Sequence, residues 1–544
     1  MMIFVMGLNH FTFAQWLQVG ANLGFASSGA APSLAFNPAT AEAYIAYPDG
    51  AANAFVVQKF NGTNWIQVGA NLGFASSGSV PSLAFHPTTN EAYIAYRDGA
   101  ANAFVVQKYN GTNWTQVGAN LGFASNGAVP SLAFNPTTNE AYAAYPDGAA
   151  NAFVVQKFNG TNWTQVGANL GFASNPTAPS LAFNASTNEA YLAYPDGAAN
   201  AFVVQKFNGT NWTQVGANLG FASSGVAPSL AFNPTTNEAY VAYPDGAANA
   251  FAVQKFNGTN WTQVGANLGF ASGGFSVITA PSLAFNPITN EANVAYPDGG
   301  ANVFVVQKFN GTSWTQVGAN LGSTGGNVAI SLTFKPCHNE AYLAYPDAAA
   351  NAFVVEKFDL GCTLSITTQP ANQSISIGNN AQFSVSSSYP CALTYQWQTD
   401  LGLGYQNITD AGQYSGATND TLTVSSVTLS NNNQLFRCIV SSGSCSDTSI
   451  VATLTVINDV GINILSDENS FVVYPNPASD LITVNVNSNL LSSAYFISDM
   501  LGRTVLKGKL TSKSSDINIY ELSAGIYILK VGEYNQRTYK LLRK

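Results

Sequence analysis

The stretch WTQVGANLGFASNGAVPSLAFNPTTNEAYAAYPDGAANAFVVQKFNGTN, residues 114–162, decides the fold of the chain. It contains four short β-rich segments, SLAF, EAYAAY, AFVVQKF and WTQVG, which we call strands A, B, C and D. The intervening turns are NPTTN, PDGAAN and NGTN; Asn-Gly tolerates the positive φ angles of a tight hairpin, and Pro fixes φ. Apolar residues show no helical spacing anywhere in the unit. We therefore predict one four-stranded antiparallel sheet per unit.

This unit occurs seven times over residues 16–360, at a spacing of 49 residues five times and 53 residues once, where residues 273–280 carry an insertion. Each copy is marked by a tryptophan: Trp16, Trp65, Trp114, Trp163, Trp212, Trp261 and Trp314. Four strands about every 40 to 50 residues are typical of a β-propeller blade. The region begins with a D strand and ends after a C strand, so the first strand is available to complete the last blade. A closed ring leaves no open sheet edge, and an open solenoid needs no displaced strand. We predict an all-β fold with a closed seven-bladed β-propeller over residues 16–360.

Within a blade, we expect strands B and C to pair with Glu42 opposite Lys59 and Tyr44 opposite Val57. An exposed ion pair of this kind contributes about 0–1 kcal/mol, so it would define register more than stability. The Trp and Phe side chains of each unit are expected to fill the space between blades.

The composition of the chain restricts its partners. Hydrophobic residues make up 46% of the 544 residues, charged residues only 9%, and the net charge is −9. Nucleic acid is excluded as a partner, because phosphate binding needs clustered Lys and Arg. A neutral polar exterior is compatible with glycans. The sequence contains no apolar run of the roughly 18 residues that a membrane span requires, and its three His and five Cys show no zinc-site spacing. No cofactor, no metal and a monomeric propeller are expected.

The first residues, MMIFVMGLNHFTFAQ, are short and apolar and end in small residues where a signal peptidase cleaves. We interpret residues 1–15 as a signal peptide; the alternative is a buried first strand. In an exported chain the cysteines favour disulfides. Cys337 and Cys362 are one candidate pair, and Cys438 would bond Cys445 or lie near Cys391. The odd count leaves at least one thiol free or paired between molecules.

After residue 363 the repeat ends, and alternating strands such as LTYQWQTD and QLFRCIV continue to residue 457. Residues 363–457 resemble an immunoglobulin-like sandwich, with Trp397 at the core position of strand C and Cys438 at the strand F position. Phe383 stands near the expected strand B cysteine and Phe436 replaces the corner tyrosine, so the resemblance implies no inter-sheet disulfide. A polar linker, residues 458–469, follows.

The last module, residues 470–544, contains YPNP, then DMLG at residues 499–502, then GIY and a basic end. These motifs resemble the C-terminal sorting domain of the type IX secretion system of Bacteroidetes-type bacteria. The residues that carry the resemblance are Tyr474, Pro475, Asn476, Pro477, Gly525, Tyr527 and Lys544. The resemblance implies contact with the secretion machinery and a protein that is either released or attached to the outer cell surface.

The candidate ligand-binding residues lie in the B–C and D–A loops, which we expect on one face of the ring. Tyr47-Pro48-Asp49 recurs in every unit, with Arg97 in place of Pro in the second. The candidates are Tyr47, the aspartates Asp49, Asp98, Asp147, Asp196, Asp245, Asp298 and Asp347, and the phenylalanines Phe25, Phe74, Phe123, Phe172, Phe221 and Phe270. Ser323 replaces the seventh Phe. An aromatic ring beside a carboxylate is a usual way to hold a sugar; the alternative is that Asp caps its own turn and Phe packs between blades.

Catalysis needs different groups that converge on one spot, whereas seven near-identical units present the same groups seven times. We therefore expect a non-catalytic binding or adhesion protein for glycans or surface polymers. A purely structural interaction scaffold and a polysaccharide-degrading enzyme are the alternatives. The Asn-Gly-Thr triplets from Asn61 to Asn310 match a glycosylation acceptor but are explained by the hairpin.

Overall fold

The structure is a computed structural model that describes residues 15–27, 29–76, 78–173, 177–223, 225–270, 279–324, 328–361, 364–402, 404–442, 445–457, 471–532 and 537–544. The predicted signal peptide (except Gln15) and the predicted linker lie outside these residues. The chain divides into two compact units. The first comprises Met1–Asn372, Gln382–Thr423 and Gln434–Thr453, and the second comprises Gln373–Ala381, Val424–Asn433 and Leu454–Lys544. The described residues form strands and two short 3₁₀ turns without any α-helix, so the all-β prediction is confirmed.

Seven antiparallel sheets follow one another along the described part of residues 15–361, each in the order A-B-C-D. The strands of the first three sheets are β2 (Ser33–Phe36), β3 (Ala43–Asp49), β4 (Ala54–Phe60) and β5 (Trp65–Gln67); β6 (Ser82–Phe85), β7 (Ala92–Asp98), β8 (Ala103–Tyr109), β9 (Trp114–Gln116) and the extra β10 (Leu121–Phe123); and β11 (Ser131–Phe134), β12 (Ala141–Asp147), β13 (Ala152–Phe158) and β14 (Trp163–Gln165).

The next three sheets repeat this pattern. Their strands are β15 (Ser180–Phe183), β16 (Ala190–Asp196), β17 (Ala201–Phe207) and β18 (Trp212–Gln214); β19 (Ser229–Phe232), β20 (Ala239–Asp245), β21 (Ala250–Phe256) and β22 (Trp261–Gln263); and β23 (Ser282–Phe285), β24 (Ala292–Asp298), β25 (Val303–Phe309) and β26 (Trp314–Gln316).

The seventh sheet is assembled from both ends of this region. It combines β27 (Ser331–Phe334), β28 (Glu340–Asp347) and β29 (Ala352–Asp359) with β1 (Leu17–Gln18), the first described strand of the chain. Leu17 pairs with Lys357 and Gln18 with Glu356. The displaced D strand therefore covers the edge of the last C strand, as the phase of the repeat predicts.

Hydrogen bonds between neighbouring A strands link all seven sheets in sequence. In each A strand the serine Oγ accepts the N–H of the leucine in the A strand of the next sheet, as Ser33 Oγ does from Leu83 at 3.0 Å. The same bond joins Leu132 to Ser82, Leu181 to Ser131, Leu230 to Ser180, Leu283 to Ser229 and Leu332 to Ser282. The seventh bond runs from Leu34 N to Ser331 Oγ at 2.9 Å, so the series returns to its starting sheet.

A second series of hydrogen bonds joins the D strands. The indole N–H of Trp65 donates to the carbonyl of Val19 in the preceding sheet at 2.7 Å. The other indoles do the same: Trp16 to Val317, Trp114 to Val68, Trp163 to Val117, Trp212 to Val166, Trp261 to Val215 and Trp314 to Val264. Each of the seven repeat tryptophans therefore links its own sheet to the preceding one through its indole N–H.

Aromatic pairs fill the space between sheets. The buried Tyr96 of one B strand meets Phe55 of the preceding C strand with ring centroids 4.8 Å apart, and Tyr47 meets Phe353 at 5.1 Å across the closing interface. Five further interfaces contain the same pair. These side chains bury large apolar areas and supply much of the hydrophobic stabilisation between neighbouring sheets.

The predicted register of strands B and C is wrong by two residues. Tyr44 lies opposite Lys59, not opposite Val57, and Asp49 lies opposite Ala54. Asp49 belongs to the B strand, and the turn is Gly50-Ala51-Ala52-Asn53, closed by an asparagine with a φ of 48°. The expected ion pair nevertheless forms diagonally, with Lys59 Nζ 3.2 Å from Glu42 Oε1.

Residues 364–457 contain further short strands. They are β30 (Ile366–Thr368), β31 (Gln373–Ser376), β32 (Ala381–Ser384), β33 (Ser386–Ser387), β34 (Thr394–Asp400), β35 (Tyr405–Asn407), β36 (Tyr414–Ser415), β37 (Thr421–Val424), β38 (Gln434–Ser442), β39 (Cys445–Thr448) and β40 (Ala452–Ile457), with a 3₁₀ turn at Leu429–Asn431. In the first compact unit Trp397 is fully buried opposite Cys438, and Phe383 stacks on Phe436 with centroids 4.7 Å apart. The core positions named from the sequence are thus buried together, and the immunoglobulin-like assignment stays a prediction.

The two disulfide pairings predicted from the sequence are wrong, whereas the expected unpaired thiol is found at Cys438. Cys337 bonds Cys391, with the two Cα atoms 5.4 Å apart, so it does not bond Cys362, which lies outside the described residues. Cys438 is free and buried, and Cys445 is disulfide-bonded. A bond between Cys438 and Cys445 is prevented by the register of their hairpin, in which Cys445 lies opposite Ser442.

The C-terminal module has two sheets around one core. Its strands are β41 (Phe471–Tyr474), β42 (Leu481–Val486), β43 (Ala494–Ser498), β44 (Thr504–Lys509), β45 (Ser514–Asn518), β46 (Gly525–Val531) and β47 (Arg537–Arg543), with a 3₁₀ turn at Ser488–Leu490. The sheet orders are β41-β42-β45 and β44-β43-β46-β47, and fully buried side chains such as Ile482, Ile497 and Leu529 lie in the shared core.

Candidate ligand-binding face

The D–A and B–C loops of each sheet meet at one end of the strands. Gly50 N donates to the carbonyl of Phe25 at 2.9 Å, so the two loops are tied by their backbones. Equivalent bonds join Gly99 to Phe74, Gly148 to Phe123, Gly197 to Phe172, Gly246 to Phe221, Gly299 to Phe270 and Ala348 to Ser323. The sequence expectation that both loops share one face agrees with this geometry. We call the six phenylalanines and seven aspartates of these loops the Phe–Asp face.

One oxygen of each aspartate holds the loops together. Asp49 Oδ1 accepts the N–H of Ala51 at 2.9 Å, within its own turn, and the N–H of Phe25 at 3.1 Å, in the neighbouring loop. The other six aspartates make the same two bonds. Oδ2 of these partly exposed carboxylates has no hydrogen-bond partner among the described residues, so each carboxylate is oriented by one oxygen and leaves the other available.

The phenylalanine rings do not pack between sheets. Phe25, Phe74, Phe123, Phe172, Phe221 and Phe270 are 44–49% exposed. The Phe25 ring lies against Gly50 of the B–C turn, and a Cβ atom at Gly50 would be only 2.7 Å from Phe25 Cδ1. The alternative that these rings serve as packing between blades is therefore wrong, whereas the expected capping role of Asp is present together with an exposed face.

The seventh sheet has lost two residues that depend on each other. Ser323 replaces Phe, and Ala348 replaces the glycine of the turn. In the other sheets the phenylalanine ring lies where a Cβ atom on the turn residue would be, so that residue must be glycine. With serine in place of phenylalanine, the seventh sheet has room for the methyl group of Ala348. Asp347 remains and caps Ser323 N and Ala349 N at 3.2 Å and 3.0 Å.

Tyr47, which the sequence analysis included among the ligand-binding residues, is only 1% exposed. Burial is the main cause that raises the pKa of its hydroxyl, and the neighbouring Asp49 adds to it. In the next sheet, the equivalent Tyr96 hydroxyl accepts a hydrogen bond from Gln107 at 3.0 Å. These tyrosines are core residues that support the face from beneath and do not meet a ligand.

Arg97 is a residue whose role the sequence did not reveal. It is 4% exposed and donates to Ala124 O, to Ser76 Oγ and to Asn126 Oδ1, at 3.2, 2.7 and 2.7 Å. Burial lowers its pKa. Arg97 thus joins the D–A loops of two neighbouring units beneath the Phe–Asp face, where the other six units have proline.

The residues of the sorting motif assemble around the last strand. Asn476 Nδ2 donates to Lys540 O and Asn476 Oδ1 accepts from Leu542 N, both at 2.8 Å. Lys544 N donates to Ala478 O at 2.9 Å, and the Tyr527 hydroxyl donates to Ser523 O at 2.8 Å. Gly525 pairs with Arg543 at the start of β46. The YPNP segment, the GIY segment and the basic end therefore form one structural element.

Comparison with known proteins identifies this C-terminal module. Residues 472–543 match the family described as the secretion system C-terminal sorting domain. The protein is therefore secreted or attached to the outer cell surface and interacts with the type IX secretion machinery. Within the described residues no helix is both long and apolar enough to cross a membrane, and no group of three or more His, Cys, Asp or Glu is placed to hold a metal ion.

The remaining comparisons give only distant similarities. No curated protein matches the chain. Among solved structures, YCF48 from Cyanidioschyzon merolae is 13% identical, with 64% of this chain and 99% of that chain covered and a TM-score of 0.37. The N-terminal Ig1-2 module of the Drosophila receptor protein tyrosine phosphatase DLAR is 15% identical, with 33% and 98% covered and a TM-score of 0.16.

Proposed function

We propose that the seven sheets form a closed seven-bladed β-propeller that acts outside the cell as a non-catalytic, multivalent binding protein for glycans or other repetitive surface polymers. The observation that carries the proposal is the Phe–Asp face, in which six half-exposed rings stand beside oriented carboxylates in the same geometry. Apolar side chains of this size that lie exposed in a regular array are typical of an interaction site.

Each site offers the two contacts that a sugar ring uses. The ring of Phe25 presents an apolar surface to the C–H face of a pyranose, and Asp49 Oδ2 accepts a hydroxyl hydrogen bond. A single shallow site of this kind binds weakly. Six equivalent sites on a rigid ring raise the overall affinity by a factor of about 10² to 10⁴ when the target is itself repetitive.

The repetition also argues against a catalytic centre. An acid and a base need different environments to hold different proton affinities. The seven aspartates share one environment, with the same two N–H donors to Oδ1. The arrangement therefore favours binding over hydrolysis.

The test is an array of bacterial, algal and plant polysaccharides probed with the full-length protein and with a variant that carries Phe→Ser at all six positions of the face. Serine is the matched replacement because the chain already has Ser323 at the seventh position. We expect loss of binding to the preferred polymer by at least about 100-fold, with an unchanged circular dichroism spectrum. Equal binding of both proteins, or binding of neither to any polymer, would reject the proposal and favour a structural scaffold.

A further inference from the structure

The negative charge of the Phe–Asp face is not required by the turns that it caps. Six of the seven units contain another turn capped by a side-chain oxygen, in which Asn61 Oδ1, for example, accepts the N–H groups of Thr63 and Asn64 at 2.9 and 2.8 Å. Asn37 caps the A–B turn in the same manner. A neutral amide oxygen therefore caps other turns in the first six units. The B–C turn has Asp in all seven units, although its capping bonds by themselves do not require a charge.

The charge of this face is also largely uncompensated. The glutamate at the start of each B strand is paired with a lysine, as Glu42 with Lys59 at 3.2 Å, and the same pair recurs in the other six sheets. None of the seven aspartates of the face has an ion-pair partner among the described residues. Arg97 is the one cation in these loops by sequence, and it is buried on neutral acceptors. The face therefore presents seven carboxylates and six aromatic rings.

A carboxylate and an exposed aromatic ring that lie side by side both attract an ammonium group. An ammonium ion pairs with the carboxylate, and it is also drawn to the negative face of a ring. A sugar that carries an amine adds an apolar C–H face to the same contact. An acidic polymer, in contrast, would meet like charge at every site.

We propose that the ligand of this face is a polymer of amino sugars with free, protonated amines, bound in preference to its neutral N-acetylated form and to uronic-acid polymers. This inference rests on the proposed binding function and names the chemical class of its ligand. The phenylalanines contact the sugar ring, and Oδ2 of each aspartate pairs with the protonated amine, so that charged amino sugars are preferred.

The experiment measures binding of the full-length protein to four immobilised polymers in mildly acidic buffer: a glucosamine polymer, its N-acetylated form, a uronic-acid polymer and polylysine. We expect the glucosamine polymer to bind at least about tenfold more tightly than the N-acetylated form, and the difference to shrink with added salt. A variant with all seven Asp→Asn keeps the capping oxygen and should lose the preference but not the weaker binding to the N-acetylated polymer. The six-Phe→Ser variant should weaken binding to both.

The outcomes separate the two proposals. Equal binding to the glucosamine polymer and its N-acetylated form, with Phe-dependence retained, would reject the charge inference and leave the binding function in place. Polylysine bound as tightly as the glucosamine polymer, with no effect of Phe→Ser, would mean that charge alone acts and would reject the sugar ligand. Binding of none of the four polymers, with none bound on the wider polysaccharide array, would reject both.

Discussion

At the scale of single residues, the face depends on a glycine that leaves room for a ring. Phe25 stays half exposed because Gly50 has no Cβ, and the backbone bond between Gly50 N and Phe25 O holds the ring over the turn. In the seventh sheet, both the phenylalanine and the glycine are replaced, by Ser323 and Ala348. We therefore expect the residue choices at these two positions to depend on each other.

This coupling predicts the result of a double-mutant cycle. Gly50→Ala alone should displace the ring and cost about 1–3 kcal/mol locally, because the added methyl group overlaps it. The same change in a Phe25→Ser background should be nearly neutral. Hydrogen exchange of the Gly50 amide, followed by mass spectrometry of full-length protein, measures the effect. Equal loss of protection in both backgrounds would contradict the coupling.

The sequence indicates this site only in part. The repeated aspartates and phenylalanines are visible as a pattern, and their common face follows from the order of the strands. Exposure of the rings is not visible, because a phenylalanine in a loop packs inward as readily as outward. Tyr47 is misassigned for a related reason: Asp49 lies at the end of the B strand and is partly exposed there, whereas Tyr47, two residues earlier on the same side of the strand, is covered by the neighbouring sheet and is 1% exposed.

Among the structural elements, β1 differs from the other D strands in its connection to its C strand. β18 is connected to β17 by a short hairpin, whereas β1 is connected to β29 only through the six intervening sheets. The backbone bonds of Val19 with Val355 and of Leu23 with Phe353 continue the pairing, and the indole of Trp16, bonded to Val317 O and packed on Phe358 with centroids 5.4 Å apart, is a further anchor.

A comparison of two tryptophans tests this point. Trp16→Ala should release β1 and expose the edge of β29, whereas Trp212→Ala should leave β18 paired because its hairpin remains. Each change removes a large side chain and costs about 3–5 kcal/mol. Hydrogen exchange should show loss of protection in β29 for the first variant, with aggregation as a consequence, and retained protection in β17 for the second. Similar behaviour of both variants would mean that the indole does not control closure.

The sequence predicts these elements well but places one of them incorrectly. Strand content, order and the displaced first strand all follow from the repeat. The B–C register is shifted because Pro48 ordinarily ends a strand, whereas here it extends the B strand and lies opposite Phe55. The disulfide could not be predicted, because Cys337 and Cys391 are 54 residues apart in different sequence modules.

Across the molecule as a whole, the seven repeated sheets each contain one buried tyrosine at an equivalent position of the B strand. Burial raises the pKa of Tyr243 and of Tyr296 to about 12, and the adjacent aspartate of each contributes in the same direction. A neutral tyrosine is therefore favoured in the folded state. The resulting stability is complete below pH 10, the ordinary pKa of tyrosine, and is lost as the pH rises from 10 toward 12.

We accordingly expect alkaline unfolding to begin above pH 10 and to be cooperative, because ionisation of Tyr243 or Tyr296 within the fold costs about 3 kcal/mol more than in the unfolded chain. Circular dichroism and tyrosinate absorbance, recorded together against pH, measure it. Ionisation of the buried tyrosines should coincide with loss of the β-sheet signal. Ionisation of all tyrosines near pH 10 with the sheet signal intact would contradict the prediction.

The displaced first strand also has a consequence for how such a ring changes in size over generations. Between Trp16 and Trp261, where the spacing is a constant 49 residues, any segment of that length amounts to one D, one A, one B and one C strand, whatever its starting point. Unequal recombination between gene copies would therefore insert or delete one complete four-stranded sheet. The two strands that pair across the ends of the array, β1 and β29, would be untouched by such an event. Heredity could thus change the number of sheets in whole steps while the pairing of the two ends stays the same.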